Sequence, residues 1–334
     1  MQDMLRVAII GAGRIGRVHA ESVASHPKAT LVAVCDPMGT AAEDLAAIYG
    51  AKAYKDAADV FADTEVDAVI VGSPTPLHAE HVLGATRSGK AVLVEKPVAK
   101  DVEEARALDA ELATFEHPPV MVGFQRRYDP SIRGAKDLVD AGKIGDVEQV
   151  VIVARDPSAP PASYVAVSGG LFKDMSIHDF DEARFFLGDI EEVVAFGQQT
   201  LPELKDTGDF DAAMILLRGK NGTVASITNQ RRCVTGYDQR LEVHGSEGSV
   251  SMDNWRDTTL HLNKAEFSGS QDPYQNFFLQ RYAAAYRNEL TAFIDAIVDG
   301  APVSPTVSDG VAALVIAQAA GESAASGRAV RIEG

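Results

Sequence analysis

Lys96 is singled out for chemistry by its surroundings. It stands in Glu95-Lys96-Pro97, directly after the apolar run at residues 91–94, and the following proline holds it in extended backbone. An ammonium directed from the end of a strand steadies a developing alkoxide. A second cluster, Ser168 to Asp181, carries Asp174 and His178 four residues apart. On one helix that spacing puts both on one face, where the carboxylate orients the imidazole and stabilises its protonated form. Such an imidazole takes the proton of an alcohol near neutral pH. The same spacing also fits a helix cap at Asp174 and a core histidine at 178, and a lysine after a strand is often a surface charge. Whether His178 or a desolvated Lys96 accepts the proton is open from the residues alone.

Gly11-Ala12-Gly13-Arg14-Ile15-Gly16 follows the first apolar run and opens a helical stretch. In that context Gly11 makes the tight turn, Gly13 lets a pyrophosphate approach the backbone, and Gly16 lets helix and strand pack closely. Arg14 and Ile15 lie at the helix start, whose unpaired N–H groups hold phosphate. Asp36 ends the second apolar run, about 20 residues past the third glycine, where a ribose-binding carboxylate belongs. It repels the extra phosphate of NADP, and no Arg or Lys follows at residues 37–40, so the expected cofactor is NAD. Ser73, Thr75 and His78, after the apolar run at residues 68–71, join Glu95 and Lys96 at the strand ends expected to meet the nicotinamide half.

These groups need a scaffold. Residues 7–10, 31–34, 68–71 and 91–94 are fully apolar, as strands of a parallel sheet covered on both faces are, and they alternate with helical stretches. An α/β, doubly wound Rossmann domain is expected over residues 1–123. Beyond Phe124 the texture changes. A helix at 131–141 precedes strands at 147–154, 192–197, 212–217, 223–231, 240–244 and 249–252, with a hairpin signal at Lys220-Asn221-Gly222. Helices at 274–298 and 307–325 and a strand at 329–332 follow. This predicts an α+β domain with a largely antiparallel sheet over residues 124–334. The aromatic positions Tyr274, Phe277, Phe278, Tyr282 and Tyr286 are read as a core or subunit-contact face.

The chain has 334 residues, 46% hydrophobic and 24% charged, ample for two cores. A net charge of -17 argues against nucleic acid or an anionic membrane as partner, and no apolar run is long enough to span a bilayer. Cys35 and Cys233 form no pairing or zinc motif, and the first apolar run begins almost at Met1 without leader features, so a cytoplasmic protein is expected. His78 and His81 lack a third ligand nearby, and no metal is expected.

Gly11 to Gly16, Asp36, Glu95-Lys96-Pro97, residues 123–130 and the stretch from Gly169-Gly170 through His178-Asp179 stand in the order and spacing of the glucose-fructose oxidoreductase/inositol dehydrogenase/rhizopine catabolism family. The chain resembles that family from end to end. Within it, Arg155 through Tyr164 and Ser168 through Asp181 are most similar to bacterial inositol 2-dehydrogenases. The resemblance implies a Rossmann domain, an α+β substrate domain with an open sheet, and a homo-oligomer, tetramer or dimer. It implies Lys96, Asp174 and His178 as the catalytic set, which also meets substrate, with Arg127, Arg155, Asp156, Tyr237 and Asp238 as further substrate contacts. The expected activity is NAD-dependent oxidation of a small cyclic polyol, foremost myo-inositol to its 2-keto form. Another inositol isomer, an aldose, or a non-catalytic NAD-binding regulator are the alternatives.

Overall fold

The computed structural model describes residues 4–332, and the chain divides into two compact units. The first runs to Tyr128 and takes in Ala284–Leu314; the second comprises Asp129–Ala283 and the chain from Val315 onward. The late segment Ala284–Leu314 thus groups with the N-terminal residues of the first unit.

The first unit alternates β1 (Leu5–Ile10), α1 (Arg14–Ser25), β2 (Ala29–Cys35), α2 (Ala41–Tyr49), β3 (Lys52–Tyr54), α3 (Ala57–Ala62), β4 (Ala68–Val71), α4 (His78–Arg87), β5 (Ala91–Glu95), α5 (Val102–Leu112) and β6 (Val120–Gly123). All six strands pair in parallel, in the order β3-β2-β1-β4-β5-β6. The order reverses between β1 and β4, which opens a crevice at their carboxyl ends. β4 and β5 are buried at every position, the burial that their uninterrupted apolar runs demand. The returning segment completes this core: Leu290, Phe293 and Ile294 pack with residues of β1, β2, β4 and β5.

The second unit contains α6 (Pro130–Asp140), β7 (Val147–Arg155), α7 (Ala162–Ser168), α8 (Leu171–Asp174), α9 (Ser176–Leu187), β8 (Ile190–Gln198), β9 (Ala212–Gly219), β10 (Val224–Gln230), β11 (Asp238–Gly245), β12 (Gly248–Met252), α10 (Phe278–Arg281), the greater part of α12 (Val307–Ser326) and β13 (Val330–Arg331). Its sheet runs β12-β11-β7-β10-β9-β8-β13, antiparallel except for the β7–β10 pair. One face carries Ile152, Ile215, Ile227 and Leu241 into a core with Phe180 and Ala183 of α9 and Ile316 of α12. The other face lacks that cover. Phe196, Met214, Thr228 and Val153 lie in register across four strands, and Val194, Leu216, Ser226 and Val151 form the next row.

The long helix expected from residue 274 begins later. Tyr274 pairs with Arg256 as an isolated bridge, and the Arg256 guanidinium lies 4.4 Å from the centre of its ring. Helix starts at α10 and resumes, after Tyr282, as α11 (Ala283–Val298). Tyr274 and Phe277 are therefore outside the helix, while Tyr282 and Tyr286 are buried.

Candidate active site

In the first unit the glycines stand where the sequence reading needs them. Gly11 has φ +103°, and a Cβ there would lie 2.3 Å from the Gly72 carbonyl oxygen. A Cβ on Gly16 would lie 1.9 Å from the Gly11 carbonyl oxygen, which fixes the close approach of α1 to the strand end. Gly13 differs: a Cβ there meets nothing within 4 Å, so protein packing does not explain that glycine. It caps the N-terminus of α1 without a side-chain hydrogen bond, leaving that helix end to an external acceptor. Arg14 is exposed and Ile15 half-buried beside it.

Asp36 is held in the same place. The Ala12 N–H donates to its Oδ2 at 2.8 Å and the Met38 N–H to its Oδ1 at 2.9 Å. Each oxygen keeps lone-pair capacity for a sugar hydroxyl. The glycine turn, the open helix end and this carboxylate fit the pyrophosphate and adenosine ribose of a dinucleotide.

The next loops meet at His78. Its Nδ1 lies 2.8 Å from the Pro97 carbonyl oxygen and its Nε2 2.8 Å from that of Ser73, so a buried ring links the loop after β4 to the turn that carries Lys96. Burial pushes the His78 pKa down, against the pull of those carbonyls. The Ser73 hydroxyl is 2.9 Å from His81 Nδ1, and Thr75 opens the short turn before α4. Glu95 lies behind Lys96, its Oε1 2.8 Å from Nε2 of the fully buried His19. Lys96 itself is half-buried. Arg127 lies 3.2 Å from Asp309 and 3.3 Å from the Ser304 hydroxyl, within this unit.

In the second unit the Asp174–His178 stretch is not one helix. Asp174 is the last residue of α8, Met175 turns, and α9 starts at Ser176. Asp174 and His178 therefore do not stand on one continuous helix. Asp174 is instead held from two sides: the Tyr164 hydroxyl donates to its Oδ1 at 3.0 Å and Arg231 Nη1 to its Oδ2 at 3.1 Å. The first turn of α9, with His178, is fixed separately. Asn229 accepts from the Ser176 hydroxyl at 2.6 Å and donates to Asp179 Oδ2 at 2.7 Å.

Asn229 and Arg231 were not found in the sequence reading, although a signal existed. The inward positions of β10 run Ala225, Ile227, Asn229 and then Arg231, all buried, so the strand's period of two predicts polar side chains inside at its carboxyl end. A buried polar group needs a partner, and these two find theirs around the candidate acid/base pair.

The other nominated contacts are engaged nearby in the same unit. Arg155 Nη1 is 2.9 Å from Asp238 Oδ2, across a register pair of β7 and β11, and Arg240 also holds Asp238. The Asp156 N–H donates to the Gln230 carbonyl, which ties the ends of β7 and β10. Tyr237 precedes β11 and is buried edge-on to Phe277 and Tyr282.

Two family models match the chain: the oxidoreductase family with an NAD-binding Rossmann fold over residues 5–124, and the GFO/IDH/MocA C-terminal domain over residues 132–251. The chain belongs to this family. Its members' NAD-binding fold is the one described for the first unit, and NAD is the cofactor that the glycine turn and Asp36 accommodate. Among family relatives, an inositol 2-dehydrogenase of Rhizobium meliloti (strain 1021) is 42% identical over 98% of this chain and 99% of its own. The crystal structure of a myo-inositol dehydrogenase from Corynebacterium glutamicum ATCC 13032 superposes with a TM-score of 0.95 at 43% identity, covering 99% of both chains. That of the myo-inositol dehydrogenase from Lactobacillus casei, in complex with NAD(H) and myo-inositol, gives 0.89 at 28% identity over 99% of this chain and 97% of that one.

Proposed function

We propose that this oxidoreductase is an inositol 2-dehydrogenase, oxidising the secondary alcohol of myo-inositol to the ketone. The observation that carries the reading is likeness to inositol dehydrogenases along the whole chain, through both units. Lys96, Asp174 and His178 are the proposed catalytic set. His178 takes the hydroxyl proton, Asp174 steadies the imidazolium, and the Lys96 charge stabilises oxygen as it becomes alkoxide. Bound NAD supplies the hydride acceptor, so the products are the ketone and NADH. Gly11, Gly13, Arg14, Ile15, Gly16 and Asp36 hold the nucleotide, with Ser73, Thr75, His78 and Glu95 shaping the nicotinamide end. Arg127, Arg155, Asp156 and Tyr237 complete the proposed substrate set, Arg155 and Tyr237 through the ion pair and ring contacts that orient them.

The test separates binding from chemistry. NAD affinity, read by fluorescence, stays near the unmodified value in His178→Ala, Asp174→Asn and Lys96→Met. Turnover of myo-inositol falls roughly a hundredfold to ten-thousandfold in His178→Ala, less in Asp174→Asn, and by about 3 kcal/mol of transition-state stabilisation or more in Lys96→Met. Unchanged turnover in all three overturns the assignment; unchanged turnover in His178→Ala alone moves the base to Lys96.

The protein is also proposed to work as a homo-oligomer in the cytoplasm, a tetramer or a dimer. Support comes from the open sheet face of the second unit, where Phe196, Met214 and Leu216 are 64%, 66% and 57% exposed in adjacent rows. The buried Cys35 and the unbridged Cys233 suit a reducing compartment. Light scattering should report a multiple of the 35.5 kDa chain mass, and Met214→Lys should lower it; a monomer at assay concentration would contradict the oligomer.

A further inference from the structure

Arg231 follows β10 directly and is fully buried, one of the largest side chains in that state. Its backbone N–H donates to the Asp211 carbonyl oxygen at 2.8 Å, which anchors the main chain independently of the side chain. The guanidinium lies near both ends of the short helix α8. Nη1 meets Asp174 Oδ2, at the end of that helix, at 3.1 Å. Nη2 lies 3.8 Å from Asp209 Oδ2, and Asp209 Oδ1 accepts the Leu171 N–H at the helix start at 3.1 Å. The Nε and Nη2 atoms of Arg231 make no hydrogen bond among the described residues. A buried guanidinium with unused donors costs stability, and an apolar side chain would fill the inward position at the end of β10 without that cost. Its retention asks for a reason other than packing.

The reason lies in what it does to Asp174. A carboxylate that accepts from a guanidinium on one oxygen and a hydroxyl on the other keeps one orientation. Its free lone pairs then keep a fixed direction, which suits a group that orients and steadies an imidazolium. With α8 ending at Asp174 and Met175 turning away from it, no continuous helix performs this orientation. We propose that Arg231 is a positioning residue of the reaction, acting through Asp174 by fixing the direction of its carboxylate. The inference rests on the proposed role of Asp174 and adds a residue to it.

Arg231 acts through Asp174 only if the two substitutions fail to add, so the experiment is a double-mutant cycle on kcat with myo-inositol and NAD. Arg231→Met is expected to lower kcat about tenfold or more, with NAD affinity unchanged and KM for myo-inositol changed less than kcat. Arg231→Lys, which keeps the charge but not the fork, recovers part of that loss. In an Asp174→Asn background, Arg231→Met causes little further loss, and this pair leaves one fewer unpaired carboxylate should the single variant fold poorly. Effects that multiply, or a folded Arg231→Met with normal kcat beside a damaged Asp174→Asn, overturn the inference alone. Normal turnover in Asp174→Asn removes the role of Asp174 itself, and the inference with it.

Discussion

Asp36 accepts one backbone N–H on each carboxylate oxygen, from Ala12 in the glycine turn and from Met38 beyond the strand. Its carboxylate therefore shapes the loop in addition to its proposed contact with the ribose, and hydrogen bonds to a charged group typically contribute about 1.5–3 kcal/mol. Asp36→Ala should lower kcat/KM with NAD roughly tenfold to a hundredfold and narrow the preference over NADP; equal use of the two cofactors by the unmodified protein contradicts this role. At this scale the nucleotide residues were legible because their constraint is local. A glycine turn, a helix start and a strand-end acid are each defined within a few positions. Arg231 and Asn229 were not legible as individuals, since their partners Asp174 and Ser176 lie 57 and 53 residues away. Tertiary placement gives them a role, and only the inward phase of β10 hinted at it.

At the scale of elements, the glycine turn separates requirements of the fold from those of the ligand. Gly16 is a demand of the fold, because a Cβ would overlap the Gly11 carbonyl, whereas the space around Gly13 is open on the protein side. Gly13→Ala should cost at most about 1 kcal/mol, as an exchange at a helix cap, while NAD affinity falls clearly. Gly16→Ala should lower Tm markedly in the absence of NAD. Thermal unfolding with and without NAD checks both; equal Tm losses in the two apo variants would contradict the distinction. Strand positions in both sheets were readable from apolar runs and alternation, and the parallel order of the first followed from its α/β rhythm. The helix breaks were not. Nothing in the periodicity of residues 171–187 marks the turn at Met175, and the late start of α10 depends on Arg256 pairing with Tyr274 from another part of the chain.

Across the whole molecule, the chain closes its first unit with a late segment that carries a titrating group. Glu289 on α11 is fully buried, and neither carboxylate oxygen has a hydrogen-bond partner among the described residues. Burial first, and the nearby Glu95 second, hold its pKa well above the ordinary value of 4.5. The folded chain keeps a proton there that the unfolded chain releases, so from about pH 4.5 upward the folded state binds more protons and its stability falls as pH rises toward the raised pKa. Glu289→Gln removes that dependence, and its Tm relative to the unmodified protein should be higher at pH 8 than at pH 5. The same Tm difference at both values would show that Glu289 does not titrate this way.

The proposed function, oxidation of myo-inositol with NAD, is checked by absorbance at the NADH band with myo-inositol, scyllo-inositol and glucose offered separately to the purified protein. It predicts NAD-dependent NADH formation that is fastest with myo-inositol and much slower when NADP replaces NAD. No NADH from any of the three would contradict the claim, and turnover confined to scyllo-inositol or glucose would contradict the substrate while leaving the oxidoreductase family in place.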